Sequence, residues 1–181
     1  MRERVIFHVD ANSAFLSWTA AYRLKVLGEK VDLREIPSVV ADDKASRHSI
    51  ILAKSGPAKK YGIQTGEPLF QAQSKCPDLV VVPPDYGLYV EASRRFVELL
   101  RQFSPDVEQY SIDEAWVDMT GTQRLYGSTL LAAEKMRQRI NDELGFTVNI
   151  GISTNKLLAK MAGEFEKPNK IHTLLPEEIP G

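Results

Sequence analysis

The most constraining feature of this chain is a pair of short, strand-like runs, VEQYSI and AWVDM, parted only by Asp113-Glu114. Their β-branched and aromatic residues favour extended backbone, and an acid pair between two such runs reads as a tight turn. An earlier run, RVIFHVD at residues 4–10, has the same character and also ends in an acid, Asp10. A helical pattern at 87–103 precedes the strand pair (107–112 and 115–119), and a helix at 128–144 and a strand at 146–152 follow it. The order is βαββαβ, which predicts an α+β, ferredoxin-like sheet. About 70 residues separate the first strand from the first long helix; structureless loops of that length are rare, so the stretch predicts an inserted, small, mostly helical subdomain.

Composition narrows the function classes. The 181 residues are 43% hydrophobic and 26% charged, the balance of a soluble globular protein. Twenty-three Lys+Arg against 24 Asp+Glu leave a net charge of −1, which excludes a basic surface overall. Nucleic-acid contact would need a local patch, or a basic region outside this chain. The lone Cys76 forms no internal disulfide, fits a reducing cytosol, and reads as a small packed residue before Pro77. His8, His48 and His172 lack metal-ligand spacing, so no zinc site is expected. The N-terminus has no apolar signal-peptide core, and no apolar run is long enough to cross a membrane.

Within the inserted stretch, Asn12 or Ser13 is expected to cap a helix that ends at Gly28, with Phe15, Leu16, Ala20 and Leu24 on its inner face. Residues 30–50 give no clear pattern. IILAK reads as a strand, Pro57 as the first turn of a helix and Gly62 as its end. A second short helix follows, then a strand, LVVVPPD, stopped by two prolines. In the long helix Val90, Phe96, Val97, Leu100 and Phe103 fall at helical spacing; Ser128 and Gly145 bound the next helix, and TNKLLAKMAGEF forms the last. KPNKIHTLLPEEIPG shows no helical pattern.

The acids suggest chemistry. In a ferredoxin-like sheet the first and third strands are central neighbours, which would bring Asp10 beside Asp113 and Glu114. Each acid alone is an ordinary turn or solvated residue; the joint placement is what matters. Three gathered carboxylates repel unless divalent cations neutralise them, and hard oxygen ligands suit Mg²⁺ or Mn²⁺. Two such ions ~3.5–4 Å apart can clamp the attacking and leaving oxygens of a phosphoryl displacement. Asp118 is expected to face away from the cluster and to be structural.

VDANSAF followed far downstream by YSIDEAWVD resembles the Y-family translesion DNA polymerases, the UmuC/DinB group. NIGISTNKLLAKMAGEFEKPN, ILAKSGPAKKYGIQTGEPLFQAQSKCPDL and YVEASRRFVELLRQFSPDVEQYSIDEA are similar to further segments of that family, collinear from residue 5 to about 175. The resemblance implies a palm at 1–14 and 79–165, fingers at 15–78 and the start of a thumb at 166–181, so that the chain is the N-terminal part of a longer bacterial, cytoplasmic, nucleoid-associated polymerase. It implies that Asp10, Asp113, Glu114 and the Ala11 carbonyl hold two Mg²⁺ ions, for which Mn²⁺ substitutes. It implies that Phe15 excludes a ribose 2′-OH, that Lys59 and Lys156 bind the triphosphate, and that Ser111 supports the primer end. The implied partners are primer–template DNA, deoxynucleoside triphosphates and a sliding clamp, with no membrane. Two departures from the family pattern are Gly56, where a tyrosine is common, and Ala14, where an aromatic is usual. The alternatives are a diguanylate-type nucleotidyl cyclase, which would carry a GG-D/E-EF turn in place of Ser111–Glu114, and a non-catalytic UmuC-like interaction module.

Overall fold

The computed structural model describes residues 3–42 and 48–180. The first strand, β1 (Ile6–Ala11), leads through Ser13 into α1 (Ala14–Lys25). Ser13 occupies the cap position with φ 45°, but its side chain bonds no helix N–H, so it turns the chain without the capping bond expected of it. The patternless stretch holds a 3₁₀ turn at Leu33–Glu35, capped by Asp32, and a strand, β2 (Ser38–Val40); its residues 43–47 lie outside those described. Of IILAK only β3 (Ala53–Lys54) is strand. Next come α2 (Gly56–Lys59), α3 (Leu69–Lys75), β4 (Val80–Val82) and the long α4 (Tyr86–Phe103). Then follow β5 (Val107–Gln109), β6 (Glu114–Asp118), a short α5 (Gln123–Tyr126) and α6 (Thr129–Arg139), which ends in a wider π turn closed by Gly145 at φ 81°. The chain finishes through β7 (Val148–Ser153), α7 (Lys156–Gly163) and β8 (Ile171–Thr173).

These elements form two compact units, one of residues up to Asn12 and from Val90 onward, the other Ser13–Tyr89. The first holds a five-stranded sheet in the order β5-β6-β1-β7-β8. Its first four strands follow the ferredoxin-like order with antiparallel neighbours, and β8 adds a parallel edge strand to β7. Three residues inside a Pro-rich tail carry too little pattern to announce such a strand.

Period-two alternation sorts this sheet into two faces. Phe7, Val9 and Ala11 stand beside Val117, Ala115, Ile152, Ile150 and Val148 on the apolar face, all buried. Phe96, Val97, Leu100 and Phe103 of α4 are buried as their spacing requires, and Phe96 meets Phe146 edge-on at 5.7 Å. Val90, at the same spacing, is 62% exposed. The other face carries His8 and Asp10 beside Trp116, Glu114, Gly151 and Asn149, and α7 packs across it. A Cβ on Gly151 would lie 1.8 Å from the Ala159 carbonyl oxygen and 2.5 Å from the Gly163 nitrogen, so only glycine permits this helix–sheet approach.

The second unit is built on the sheet β3-β2-β4. Val40, Ala53 and Val82 pack with Leu16, Ala20 and Leu33, while Val39 and Ala41 pack with Ala58, Ala72, Cys76 and Leu79. Ser55 ties the unit together: its hydroxyl donates to the Ile36 carbonyl (2.7 Å) and accepts from the Ser38 and Ala58 amides (both 3.1 Å). Ser55→Ala strands three buried backbone groups and is expected to cost ~1–3 kcal/mol in thermal or urea unfolding. A loss below ~0.5 kcal/mol, the range of an indifferent surface change, would contradict this account.

Candidate active site

Asp10 is the penultimate residue of β1 and Glu114 opens β6, and the antiparallel register makes them direct partners. Opposed residues of such a pair share one face with Cβ atoms ~4.5–5.5 Å apart. The two acids of the doublet do not form a two-residue turn tip. Strand pairing stops at Gln109, and Glu114 belongs to β6 itself. The intervening loop has its own bonds: the Glu114 carbonyl accepts from the Tyr110 amide (3.0 Å) and the Ser111 amide (3.3 Å). Ser93 donates to the Ile112 carbonyl (2.5 Å), and Gln109 to the Ser111 carbonyl (3.0 Å). Asp113 is tied to β1 by the Ala11 N–H, which donates to its carbonyl (2.9 Å).

The Ser111 hydroxyl lies 2.8 Å from Asp113 Oδ1 and 3.1 Å from Glu114 Oε2. Its single proton can serve one of them at a time, and the geometry keeps the two oxygens within ~6 Å of each other. Asp118 shares the polar face with Glu114, contrary to the expectation that it faces away, because four residues along a strand is two full alternations. It sits near the far end of β6, where it accepts from Thr120 N (3.0 Å) and Arg4 (3.5 Å), a structural role.

The acids are met by cations. Lys167 Nζ donates to Asp10 Oδ2 (2.8 Å) and Lys160 Nζ to Glu114 Oε1 (2.9 Å). His8 Nε2 lies 3.1 Å from Glu114 Oε1; a carboxylate only accepts, so the proton is on Nε2. Burial holds the His8 pKa down, so the ring is a neutral donor at pH 7. Burial pushes Asp10 up to about 6, against the Lys167 bond and with the repulsion of Asp113 and Glu114. Burial also acts to raise Glu114, but the bonds from Lys160 and Ser111 outweigh it and hold the carboxyl below its ordinary value. Among the described residues no three His, Cys, Asp or Glu side chains converge on a point that would hold a metal. Asp10 and Glu114 are turned instead toward the two ammonium groups.

Lys156 opens α7 behind the Asn155 cap, but its ammonium pairs with Glu108 and lies 5.4 Å from the Trp116 ring centre. Lys160, one turn on, is the α7 lysine that reaches Glu114. Neither Lys160, Lys167 nor His8 stood out in the sequence; the available signal was the four-residue spacing of Lys156 and Lys160 on one helix face. Phe15 and Lys59 belong to the other unit. There Phe15 is half-buried and stacked flat on Tyr89 (4.2 Å, 8°), while Lys59 ends α2, exposed.

Residues 9–164 match the impB/mucB/samB family. The chain belongs to that family. This impB/mucB/samB chain is 55% identical over 176 residues to DNA polymerase IV of Clostridium acetobutylicum, covering 97% of itself and 44% of that protein. It is 43% identical over 173 residues to DNA polymerase IV of Moorella thermoacetica, covering 95% of itself and 42% of that protein. It spans less than half the length of these curated relatives. Among solved structures it is similar to DinB from Sulfolobus solfataricus (TM-score 0.79, 26% identity, 96% of this chain and 49% of that one). It is also similar to an insertion ternary complex of Dbh DNA polymerase (TM-score 0.80, 26% identity, with the same coverage). The impB/mucB/samB sheet is thus that of Y-family polymerases. Among the described residues no helix is long and apolar enough to cross a membrane.

Proposed function

We propose that this chain is the palm and fingers of a cytoplasmic translesion DNA polymerase, adding deoxynucleotides from their triphosphates to a primer 3′-OH on template DNA. The observation that carries the reading is the pairing of Asp10 with Glu114, with Asp113 tied to the next residue of β1. It collects acids from distant parts of the sequence at one edge of a sheet. The palm is assigned to 1–14 and 79–165, the fingers to 15–78, and a thumb is taken to begin at 166–181.

The donor set fits divalent cations of the Mg²⁺ kind. It offers hard carboxylate oxygens and, next to Asp10, the Ala11 carbonyl; it contains more acid than the two lysines neutralise. Asp10, Asp113, Glu114 and Ala11 would hold two Mg²⁺ ions, with Mn²⁺ as substitute. When bound, these supply Lewis-acid activation of the 3′-OH and neutralise the triphosphate. The protein's own contribution is orientation. Ser111 and His8 aim the Asp113 and Glu114 carboxylates, Phe15 offers a flat ring against a ribose 2′-OH, and Lys59 and Lys156 supply charge for phosphate. The small residues Ala14 and Gly56, where the family commonly carries an aromatic and a tyrosine, would lower nucleotide affinity.

The test places this chain where the matching segment of the Clostridium acetobutylicum polymerase lies. The chimaera is expected to extend a primer on undamaged and lesion-bearing templates with Mg²⁺. A chimaera that folds but extends nothing, or that turns GTP into a cyclic dinucleotide, would overturn the proposal.

A further inference from the structure

Of the three acids, Asp113 alone is carried by no strand: it ends the loop 110–113 between β5 and β6. No residue of this loop has positive φ, so it is not the self-supporting I′ or II′ turn of a tight hairpin. Its carbonyls are held instead by donors from three other elements. The Ala11 N–H of β1 donates to the Asp113 carbonyl (2.9 Å), Gln109 Nε2 of β5 to the Ser111 carbonyl (3.0 Å), and Ser93 Oγ of α4 to the Ile112 carbonyl (2.5 Å). The last two donors are linked. Gln109 Nε2 also donates to Ser93 Oγ (3.0 Å), so the amide uses both of its hydrogens, and the serine hydroxyl accepts one bond and donates another.

Ser93 breaks the pattern of its own helix. It lies one turn before Phe96 and Val97 on the buried stripe of α4 and is itself only 4% exposed, where the spacing calls for an apolar side chain. A buried hydroxyl needs partners, and here the partners are Gln109 and the loop. Beside them Val90, Val97, Gln109 and Ile112 line an open groove of about 360 Å³, so on that side hydrogen bonds rather than packed side chains hold the loop. The two carbonyls they hold are well placed to matter. Ser111 bears the hydroxyl that lies between Asp113 Oδ1 and Glu114 Oε2, and Ile112 is joined directly to Asp113. A shift of either residue displaces the Asp113 carboxylate from Glu114.

We infer that Ser93 and Gln109 are positioning residues for Asp113: together they hold the loop 110–113 so that the Asp113 carboxylate stands where it can share a divalent cation with its neighbouring acids. This rests on the polymerase reading above. Neither residue touches a carboxylate, so each acts only through the backbone of the loop. A metal ligand has to be held within ~0.5 Å of its productive place, and a loop without a turn of its own depends on such outside bonds for that.

The experiment measures free Mn²⁺ by electron paramagnetic resonance on this 181-residue chain, with circular dichroism of the same samples to follow folding. Ser93→Ala is expected to weaken Mn²⁺ binding ~10-fold in a chain that stays folded, the loss usual when a group that orients a metal ligand is removed. Ser93→Thr keeps the hydroxyl and should bind within ~2-fold of wild type. Gln109→Met, at an exposed position, keeps the side chain's length and removes both donors. It should repeat the loss, and it decides the matter if Ser93→Ala fails to fold. Because the two residues act through one hydroxyl, the double variant should also lose ~10-fold rather than the ~100-fold of independent effects. Residues that served the fold alone would lower the unfolding temperature and leave the Mn²⁺ affinity of the folded chain unchanged; that result, or Ser93→Thr as weak as Ser93→Ala, overturns the inference. Asp113→Asn separates the two levels. Mn²⁺ binding that it leaves untouched overturns the site assignment itself, whereas Mn²⁺ binding that it abolishes, with the Ser93→Ala and Gln109→Met variants indifferent, overturns only the positioning role.

Discussion

Asp113→Asn in the chimaera is expected to lower single-nucleotide incorporation by ~10³-fold or more, a loss of about 4 kcal/mol of transition-state stabilisation. The substitution keeps size and shape and removes one charge. The carbonyl bond from the Ala11 amide and the loop bonds at Ser93 and Gln109 do not involve the altered atoms, so the fold should stand. Ser111 can still bond the new amide oxygen. The loss would therefore be one of charge at the point proposed to hold cations. Duplex affinity, measured by fluorescence anisotropy, should change little, because phosphate contacts rather than an acid set it. A variant within tenfold of wild type would show that Asp113 is no part of the chemistry.

Gly151→Ala is expected to be the most damaging small change to the fold. The new methyl would meet backbone atoms of α7 at 1.8 and 2.5 Å, and backbone cannot swing aside as a side chain can. Overpacking usually costs ~1–3 kcal/mol, and this contact sets the upper end as the floor. A loss of ~3 kcal/mol corresponds to a fall in Tm of roughly 6–12 °C for a chain of this size. Gly163→Ala is the control, since a Cβ there finds its nearest neighbour, His8 Nδ1, at 3.5 Å, an ordinary contact. It should stay within ~1 kcal/mol of wild type. Equal stability of the two variants would mean that α7 does not lie so close to β7.

What the amino-acid order discloses follows from how local each signal is. β1 was legible because Val5–Val9 is short, β-branched and apolar but for His8, and α4 because its period is long enough to repeat. Pro57 and Gly62 announced α2 through local backbone chemistry, and the structure adds Ser55 as its cap. β2 and β8 are three residues each, and their strand state comes from partners distant in sequence. Val90 has the right spacing yet stays exposed, since periodicity marks a helix face but not what covers it. At the site, Asp10, Asp113 and Glu114 were readable from two strands ending in acids. Lys160 and Lys167 were not, because an ion pair across a fold leaves no spacing to read. Gly151 was part of a recognisable segment, but the reason for it is a helix crossing that only the tertiary structure contains.

The most direct measurement is the anomalous diffraction of a crystal of this chain grown with Mn²⁺ and a deoxynucleoside triphosphate. The account predicts manganese peaks bound by Asp10, Asp113 and Glu114. Saturating Mn²⁺ with no peak at these three acids would contradict it.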